Sequence, residues 1–483
     1  MAITEKCFVA FSDKWDFRIE GSFAILYPKD PESSIWFVLN KMQLSALLLM
    51  NGERQLGRIK VIMEYLLDNL TKDEIKKIIE YLFICSSNAN NPFKLIETDD
   101  KPIETKKYDL KSFINKINDY NAKECKKINK QRLNKPLELL LMPSYNCFTD
   151  CIYCYAERKY IKKEDHMNIE RWEEILDEAH DLEIKLAIFS GGDPFQYPHI
   201  LRLLKKLADK GFIFVIPTKS HLNKETTQKL SSYGLQNIWF QISIDALSTE
   251  NQKKLVNIKN YTNIAFDSIK NLVDENINVR VNIVLTPINY KEITDLIKKL
   301  DEASVKKISV AAYGFTLYRL KENLFLSKEQ MDWVNKEVNK IKQGLKNAEV
   351  KCNLDSRDFS NSTVEEKMPL WDSRAACSGG RSAMAITPTG EVTLCEQMPL
   401  KKEYIVGDLK KQSIMDVWNS KELIEFIHPT KEKFKNTVCY ECNEYDKCHK
   451  IKGCCFRDTL FTYDTIYMPP PNCPYAPPGK RLQ

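Results

Sequence analysis

The 483-residue sequence contains no apolar run approaching the roughly 20 residues that cross a bilayer. Its first residues, MAITEKCFVAFSDKWDF, lack the basic stretch and apolar core of a secretory signal. These two absences predict a cytoplasmic protein without a membrane partner. Charge of one sign is also scarce. The chain has 72 Lys and Arg against 66 Asp and Glu, a net +6, which reads as a solvated lysine surface and not as a nucleic-acid footprint. The six histidines, His166, His180, His199, His221, His428 and His449, fall in no metal-ligand or triad spacing and are read as structural or surface residues. There is no internal repeat and no low-complexity tract. What remains is a core-forming chain, 43% hydrophobic and 29% charged, long enough for about two to four domains.

Cysteine is the residue present in excess. There are 15, an odd number in a chain without a secretory signal, so a disulfide framework is not expected. Cys147, Cys151 and Cys154 form one knot. Cys377, Cys395, Cys439, Cys442, Cys448, Cys454, Cys455 and Cys473 crowd the last quarter, while Cys7, Cys85, Cys125 and Cys352 are scattered. Clustered thiols in a reducing compartment point to metal. The scattered ones read as small buried hydrophobes.

Residues 137–345 alternate strand-like and helix-like runs. The predicted strands are 137–142, 185–190, 212–218, 238–245, 279–286 and 307–314, short and apolar as strands covered on both faces should be. Between them lie amphipathic stretches such as 198–211, where Ile200, Leu203, Leu204 and Leu207 share a face and Gly211 stops the helix. Six βα units with right-handed crossovers predict an α/β fold, a parallel sheet curved into a partial barrel. Chemistry in such folds sits at the C-terminal strand ends, and the cysteine knot directly follows the first strand. Residues 17–40 predict a strand pair around a Pro/Asp turn, followed by helices at 41–52, 55–70 and 72–83. Polar residues 97–109 read as a linker. Residues 383–395 read as a hairpin and 412–427 as a helix. The expected domains are 1–96, a winged-helix-like recognition domain; 97–135, a bridging segment; 136–345, the barrel; and 346–483, a Cys-rich domain.

A closed zinc site takes four ligands. The knot offers three on one loop, with no histidine at ligand spacing. A 4Fe–4S cluster takes four thiolates, so three leave one iron open to the amine and carboxylate of S-adenosylmethionine. A zinc knuckle is the alternative. C-x3-C-x2-C after the first strand of a partial (βα)6 barrel resembles the radical SAM enzymes. Tyr153 occupies the aromatic position that the family places near the adenine. The segment Ser190–Gly191–Gly192–Asp193–Pro194 resembles the family's Gly-Gly-Glu-Pro segment, with Asp193 for Glu; there the methionine amino group is received and the glycines let the backbone approach. Ser243 and Asp245 end the fourth strand where the family contacts ribose and carboxylate, and residues 282–289 resemble the adenine-side segment. Residues 217–221 resemble segments of some thioether-forming members, which suggests a cofactor or substrate contact for Lys219. The resemblance implies reductive cleavage of S-adenosylmethionine and hydrogen abstraction by a 5′-deoxyadenosyl radical, with flavodoxin or ferredoxin as electron donor. No general base is named; Tyr313, Arg319, Asp355 and Arg374 lie near the sixth strand or the tail entrance.

The tail, Cys377-x12-Gly390-x4-Cys395, then Cys439-x2-Cys442-x5-Cys448, then Cys454, Cys455 and Cys473, resembles the SPASM domain. That resemblance implies two auxiliary 4Fe–4S clusters beside the SAM-binding one. The first would use Cys377, Cys395 and Cys454; the second Cys439, Cys442, Cys448 and Cys473. The usual three-residue gap after the run is five residues to Cys454 or six to Cys455, which leaves the choice between them open. The first cluster then has an iron open to a substrate thiolate, or one closed by the neighbouring cysteine or by Cys352. A zinc-ribbon tail is the alternative.

The first domain resembles the precursor-recognition element of ribosomal peptide maturases, in which a leader peptide adds as a strand. Its second helix carries only Arg58 and Lys60 as cations, too few for a DNA-reading face. The combined expectation is a maturase acting on a ribosomally made precursor peptide, with a thioether as the first expected product. Carbon–carbon cross-linking, epimerisation, and oxidation of Ser or Cys are the other products weighed. A non-catalytic iron–sulfur or zinc protein and a redox-sensing DNA-binding protein are the readings from other classes.

Overall fold

The computed structural model describes residues 4–20, 23–29, 36–66, 70–87, 95–104, 132–156, 165–314, 316–354 and 363–477. Contacts divide the chain into two compact units, Met1–Asn129 and Lys130–Gln483. Cys125, Asp355 and most of the bridging segment 97–135 lie outside the described residues.

The first unit contains β1 (Phe8–Phe11), β2 (Trp15–Glu20), β3 (Phe23–Pro28), β4 (Phe37–Asn40), α1 (Lys41–Leu49), β5 (Asn51–Gln55), α2 (Leu56–Leu66), α3 (Lys72–Ser87) and β6 (Ile96–Asp99). β2, β3 and β4 form an antiparallel meander, and β5, β1 and β6 a second three-stranded sheet. The predicted strand pair is thus a three-stranded sheet. The helix predicted over 41–52 stops at Leu49, because Asn51–Gln55 pairs with β1, and the predicted linker begins as strand β6. Asn40 caps α1 by accepting from the Gln43 amide at 2.9 Å, and Gln43 returns the bond. Trp15, Leu26, Leu39, Leu44, Leu47, Ile59 and Leu82 pack into this unit's own core.

The second unit is built on β7 (Glu138–Leu141), α4 (Ile169–Asp181), β8 (Leu186–Phe189), α5 (Ile200–Asp209), β9 (Ile213–Thr218), α6 (Lys224–Ser232), β10 (Trp239–Ser243), α7 (Thr249–Val256), α8 (Tyr261–Asp274), β11 (Asn278–Leu285), α9 (Ile293–Glu302), β12 (Lys307–Ala312), α10 (Lys328–Ile341) and β13 (Glu349–Cys352). The six predicted strands pair in parallel, in chain order. The sheet continues past them on both sides. β13 adds a seventh strand beside β12. At the other edge β14 (Ala383–Ile386) lies parallel to β7 and carries the hairpin strand β15 (Glu391–Thr393), then β16 (Gly407–Asp408). The Cys-rich tail therefore begins as an extension of the barrel sheet. Helices cover the outer face through apolar stripes at three- and four-residue spacing, such as Trp172, Ile175, Leu176 and Ala179 on α4. The helix predicted over 412–427 is two, α11 (Ile414–Trp418) and α12 (Lys421–Ile427), broken where Ser420 caps the second.

Asp301, near the end of α9, fixes the approach to β13. Its carboxylate accepts from the amides of Lys346, Asn347 and Ala348 at 3.0, 2.7 and 2.8 Å. Burial pushes its pKa up, but these three donors outweigh that and hold it below the ordinary Asp value. A depressed carboxyl stabilises the fold above the unfolded-state pKa, and that stability is lost as pH falls through the folded value. Asp301→Asn should therefore cost about 1–3 kcal/mol near neutral pH. The deficit should shrink as pH falls below the unfolded-state Asp value of roughly 4 and toward the lower folded one. Urea unfolding of both proteins across this range checks it; a deficit independent of pH would refute the assignment.

Candidate active site

The loop carrying Cys147, Cys151 and Cys154 crosses the C-terminal mouth of the barrel after β7. Its conformation is set by neighbours from three elements. The amides of Asp150 and Ile152 donate to Val256 and Leu255 at the end of α7, both at 2.9 Å. Arg319, on the segment after β12, donates from Nη1 to Asp150 Oδ1 at 2.6 Å and to the Cys151 carbonyl at 3.0 Å. Thr316 donates to the Cys154 carbonyl at 3.4 Å.

The glycine segment after β8 lies directly against the chain leading into this loop. The Gly192 and Asp193 amides donate to the carbonyls of Ser144 and Asn146, both at 2.8 Å. A Cβ on Gly192 would stand 2.5 Å from the Asn146 carbonyl oxygen, and Gly191 has φ +84°. The glycines are thus required by the close approach of two protein backbones. Asp193 ties the same segment to the next loop. Its carboxylate accepts from Thr218 Oγ1 at 2.8 Å and from the amides of Phe195, Lys219 and Ser220 at 3.0, 2.8 and 2.9 Å. Burial raises its pKa, against four donors that favour the ionised form. Pro194 is buried and opens a short 3-10 turn behind it.

These loops enclose a cavity of about 340 Å³. Cys147, Cys151, Cys154, Tyr153, Gly191, Gly192, Asp193, Lys219 and Ser243 all line it, so most of the residues singled out from the sequence converge there. Asp245 stands behind the wall and anchors it: its carboxylate accepts from the Tyr153 hydroxyl and, at 2.9 Å, from the Val284 amide. Burial, then the Asp245 charge, drives the Tyr153 phenol well above its ordinary value, so it remains a donor. The Lys219 ammonium lies 5.6 Å from the Tyr153 ring centre. Burial pulls the Lys219 pKa down, but the facing thiolates and carboxylates outweigh that and leave it raised. Tyr313 also lines the cavity, with its hydroxyl engaged by the Arg319 carbonyl and the Lys321 amide.

Gln241, Gln397 and Arg457 line the same cavity and were not picked out from the sequence, while Asn282 opens the segment 282–289 that was. Gln241 and Asn282 sit on β10 and β11 at alternating positions that face the barrel lumen, a pattern visible as polar residues inside otherwise apolar strands. Gln397 and Arg457 come from the tail, two residues beyond Cys395 and Cys455, and Arg457 donates to Gln397. Only the fold brings them to the barrel mouth.

The tail cysteines separate into two groups. Cys439, Cys442, Cys448, Cys454 and Cys473 line one small, enclosed cavity with Trp371, Tyr445 and His449. Cys395 has Cys377 and Cys455 as its neighbouring thiols. Burial pushes Cys395 and Cys439 up to about 12, Cys455 and Cys473 up to about 11, and Cys454 well above the ordinary thiol value. Metal binding to these thiolates must therefore release protons. Cys352 ends β13 inside the barrel core, its Sγ 3.8 Å from Asn335 Oδ1. Cys7 and Cys85 are buried in the first unit. Among the described residues no three His, Cys, Asp or Glu side chains are grouped as a single-ion site.

Residues 141–300 match the Radical SAM superfamily, and residues 377–443 match the SPASM iron–sulfur cluster-binding domain. The chain is 24% identical over 357 residues to a PqqA peptide cyclase of Methylobacterium sp. (strain 4-46), covering 73% of this chain and 89% of that protein. It is 21% identical over 321 residues to the Fe-coproporphyrin III synthase of Methanosarcina barkeri, covering 63% and 79%. Its fold is similar to that of Streptococcus suis SuiB bound to S-adenosylmethionine, with a TM-score of 0.64 at 18% identity, over 96% of this chain and 99% of the other. SuiB bound to its precursor peptide SuiA gives 0.62 at 20% identity, with the same coverage. The chain thus carries a radical SAM domain followed by a SPASM domain. It is a radical SAM enzyme whose cofactors are S-adenosylmethionine and 4Fe–4S clusters. The three thiols on one wall of a cavity whose other wall is glycine backbone, and the two groups of tail thiols, fit those cofactors.

Arg319→Met should weaken iron retention at the cysteine loop about 10–100-fold, as loss of an outer partner to a metal ligand set does. Iron analysis after a graded chelator challenge, in a variant lacking the tail cysteines, checks it. Retention equal to the parent would show that the loop holds its shape without the arginine.

Proposed function

We propose that this enzyme modifies a ribosomally made precursor peptide by radical chemistry and joins two of its residues by a cross-link, with a thioether to a cysteine sulfur as the product. The observation that carries this reading is the shared wall of the large cavity. The three-cysteine loop forms one side, and Gln397 and Arg457, two residues from tail cysteines, form part of the other. A peptide seated there has the SAM site and the first auxiliary site within one enclosure. Similarity to PqqA peptide cyclases and to the fold of SuiB supports a peptide substrate.

In this reading Cys147, Cys151 and Cys154 hold the SAM-binding cluster. Gly191 and Gly192 present backbone to the methionine end, with Asp193 and Pro194 fixing that segment. Ser243 and Lys219 contact the nucleoside or carboxylate, and Asp245 holds the Tyr153 ring against the adenine side. Cys377, Cys395 and Cys455 hold the first auxiliary cluster; Cys439, Cys442, Cys448 and Cys473 hold the second, with Cys454 facing the same pocket. When bound and reduced, these groups supply a 5′-deoxyadenosyl radical that takes a hydrogen atom from the peptide. The chain's own residues orient the peptide on Gln241, Asn282 and Arg457, and exclude water. The leader of the peptide adds to the edge strand β4, where Val38 and nearby Met42 are exposed apolar side chains. A flavodoxin or ferredoxin delivers electrons.

The test is anaerobic. The protein, reconstituted with iron and sulfide, should form 5′-deoxyadenosine from S-adenosylmethionine and dithionite, and the Cys147/Cys151/Cys154→Ala variant should form none. A Cys-containing precursor peptide encoded beside the gene should then lose one pair of hydrogens per turnover and one alkylatable thiol. Loss of the hydrogen pair with the thiol still alkylatable would replace the thioether with a carbon–carbon cross-link. Deoxyadenosine without any change in such peptides would refute the maturase reading.

A further inference from the structure

Arg381 is a buried cation with no carboxylate partner among the described residues. It lies between the two groups of tail cysteines and is 4% exposed. Its Nη2 donates to the carbonyls of Ile427 and His449, both at 2.7 Å, while Nε and Nη1 have no hydrogen-bond partner. Cys377 and Cys454 are the neighbouring groups whose negative charge favours the guanidinium. Room for it is made by Gly453, at φ +71°. A Cβ there would stand 2.8 Å from Arg381 Nη1 and 3.0 Å from Cys377 Cβ, so guanidinium and cysteine meet at one point.

Two further cations crowd the same region. Arg374 stacks on Trp371 at 3.5 Å and leaves Nη2 without a partner; Cys454 and Cys473 are within its field. Arg132 stacks on Trp418 at 4.3 Å and donates to the Gly380 carbonyl at 2.8 Å; Arg381 repels it. Burying an unpaired guanidinium is unfavourable, and two carbonyl acceptors do not neutralise its charge. Asp372 lies in the field of Arg374, whereas the Arg381 charge has only thiols to favour it among the described residues, an arrangement that fits an anionic group between the two sets of cysteines.

We propose that Arg381 is the counter-ion of the tail iron–sulfur clusters, placed between Cys377 and Cys454 so that its unpartnered nitrogens donate to cluster-bound sulfur and hold the clusters at a raised reduction potential. The proposal rests on the reading that both groups of tail thiols hold clusters. A cluster gains negative charge on reduction, so a fixed cation and N–H···S bonds favour the reduced form. A clamp role through the two carbonyls alone would leave the potential unmoved.

The test uses the full chain with Cys147, Cys151 and Cys154 replaced by Ala, so that only tail clusters report. Iron and sulfide are assayed, and midpoints are read by EPR-monitored redox titration for Arg381, Arg381→Lys and Arg381→Met. The expected result is a full iron complement in all three, with a downward midpoint shift in Arg381→Met and a smaller one in Arg381→Lys. An unchanged midpoint in a fully loaded Arg381→Met protein overturns the counter-ion role. Thermal unfolding with and without metal gives an independent reading. Arg381→Met should lower the stability of the loaded protein but cost less, or add stability, in the metal-free protein, where the native charge is uncompensated. Equal losses in both forms overturn the proposal in favour of a clamp. Should Arg381→Met not accumulate, Gly453→Ala displaces the guanidinium without changing its charge. It should shift the midpoint too, and a wild-type midpoint there is equally fatal. Absence of iron from the parent triple variant would instead refute the cluster reading beneath it.

Discussion

Backbone contact between residues 144–146 and 192–193 leaves no space for a methyl group, and the cavity at the barrel mouth takes its shape from that contact. The two amide bonds set the cysteine loop at one height above the sheet. The Asp193 carboxylate then carries the constraint onward, drawing in Thr218, Lys219 and Ser220 from the next loop. A loop otherwise free to sample many conformations is held by several hydrogen bonds over a rigid parallel sheet. Three thiols offered to one metal cluster need such preorganisation, since each freely moving ligand would add its own ordering cost to binding.

Charge is the second constraint, and it is handled differently at the barrel mouth and in the tail. At the barrel mouth the lumen combines neutral dipoles with the Lys219 and Arg457 cations. Gln241, Asn282 and Ser243 present dipoles, while Asp245 is consumed by Tyr153 and a backbone amide. In the tail Cys439 and Cys454 are buried, their pKa values driven up by lack of solvent, and the Arg381 guanidinium, with two nitrogens lacking a hydrogen-bond partner, stands among the thiols. The unpartnered guanidinium nitrogens of the tail fit anionic metal–thiolate groups beside them. Extension of the barrel sheet by β14 and β15 places the two regions side by side, so that residues close to Cys395 and Cys455 reach the same cavity as the cysteine loop.

Much of this was legible because it is local. The C-x3-C-x2-C spacing, the Gly-Gly-Asp-Pro segment and the period of α5 depend only on neighbours in the chain, and the strands at 138–141 through 307–312 announced themselves as short apolar runs. Elsewhere the same reasoning was overridden by distant partners. Leu49 ends a helix that propensity would continue, because Asn51–Gln55 is taken up by β1. The glycines of the cavity read as space for a ligand, whereas the nearer reason is the Asn146 carbonyl. Glu349–Cys352 alternates charged and apolar residues over only four positions, too short a run to stand out in the sequence, and becomes β13 because β12 offers it an edge.

The amino-acid sequence by itself determined the element types, the thiol spacings and the kind of cofactor they can hold, since these follow from backbone period and from ligand number. Tertiary structure alone decided which thiols share a pocket. Cys454 and Cys455 are adjacent in the chain and equivalent by spacing, yet one faces the four thiols of the smaller cavity and the other stands beside Cys395. The left-handed Gly453 sets the turn before them, and in an extended chain consecutive side chains point to opposite sides. Which side meets which pocket is a property of the packing around Arg381, some 70 residues away in the chain, and no local pattern encodes it.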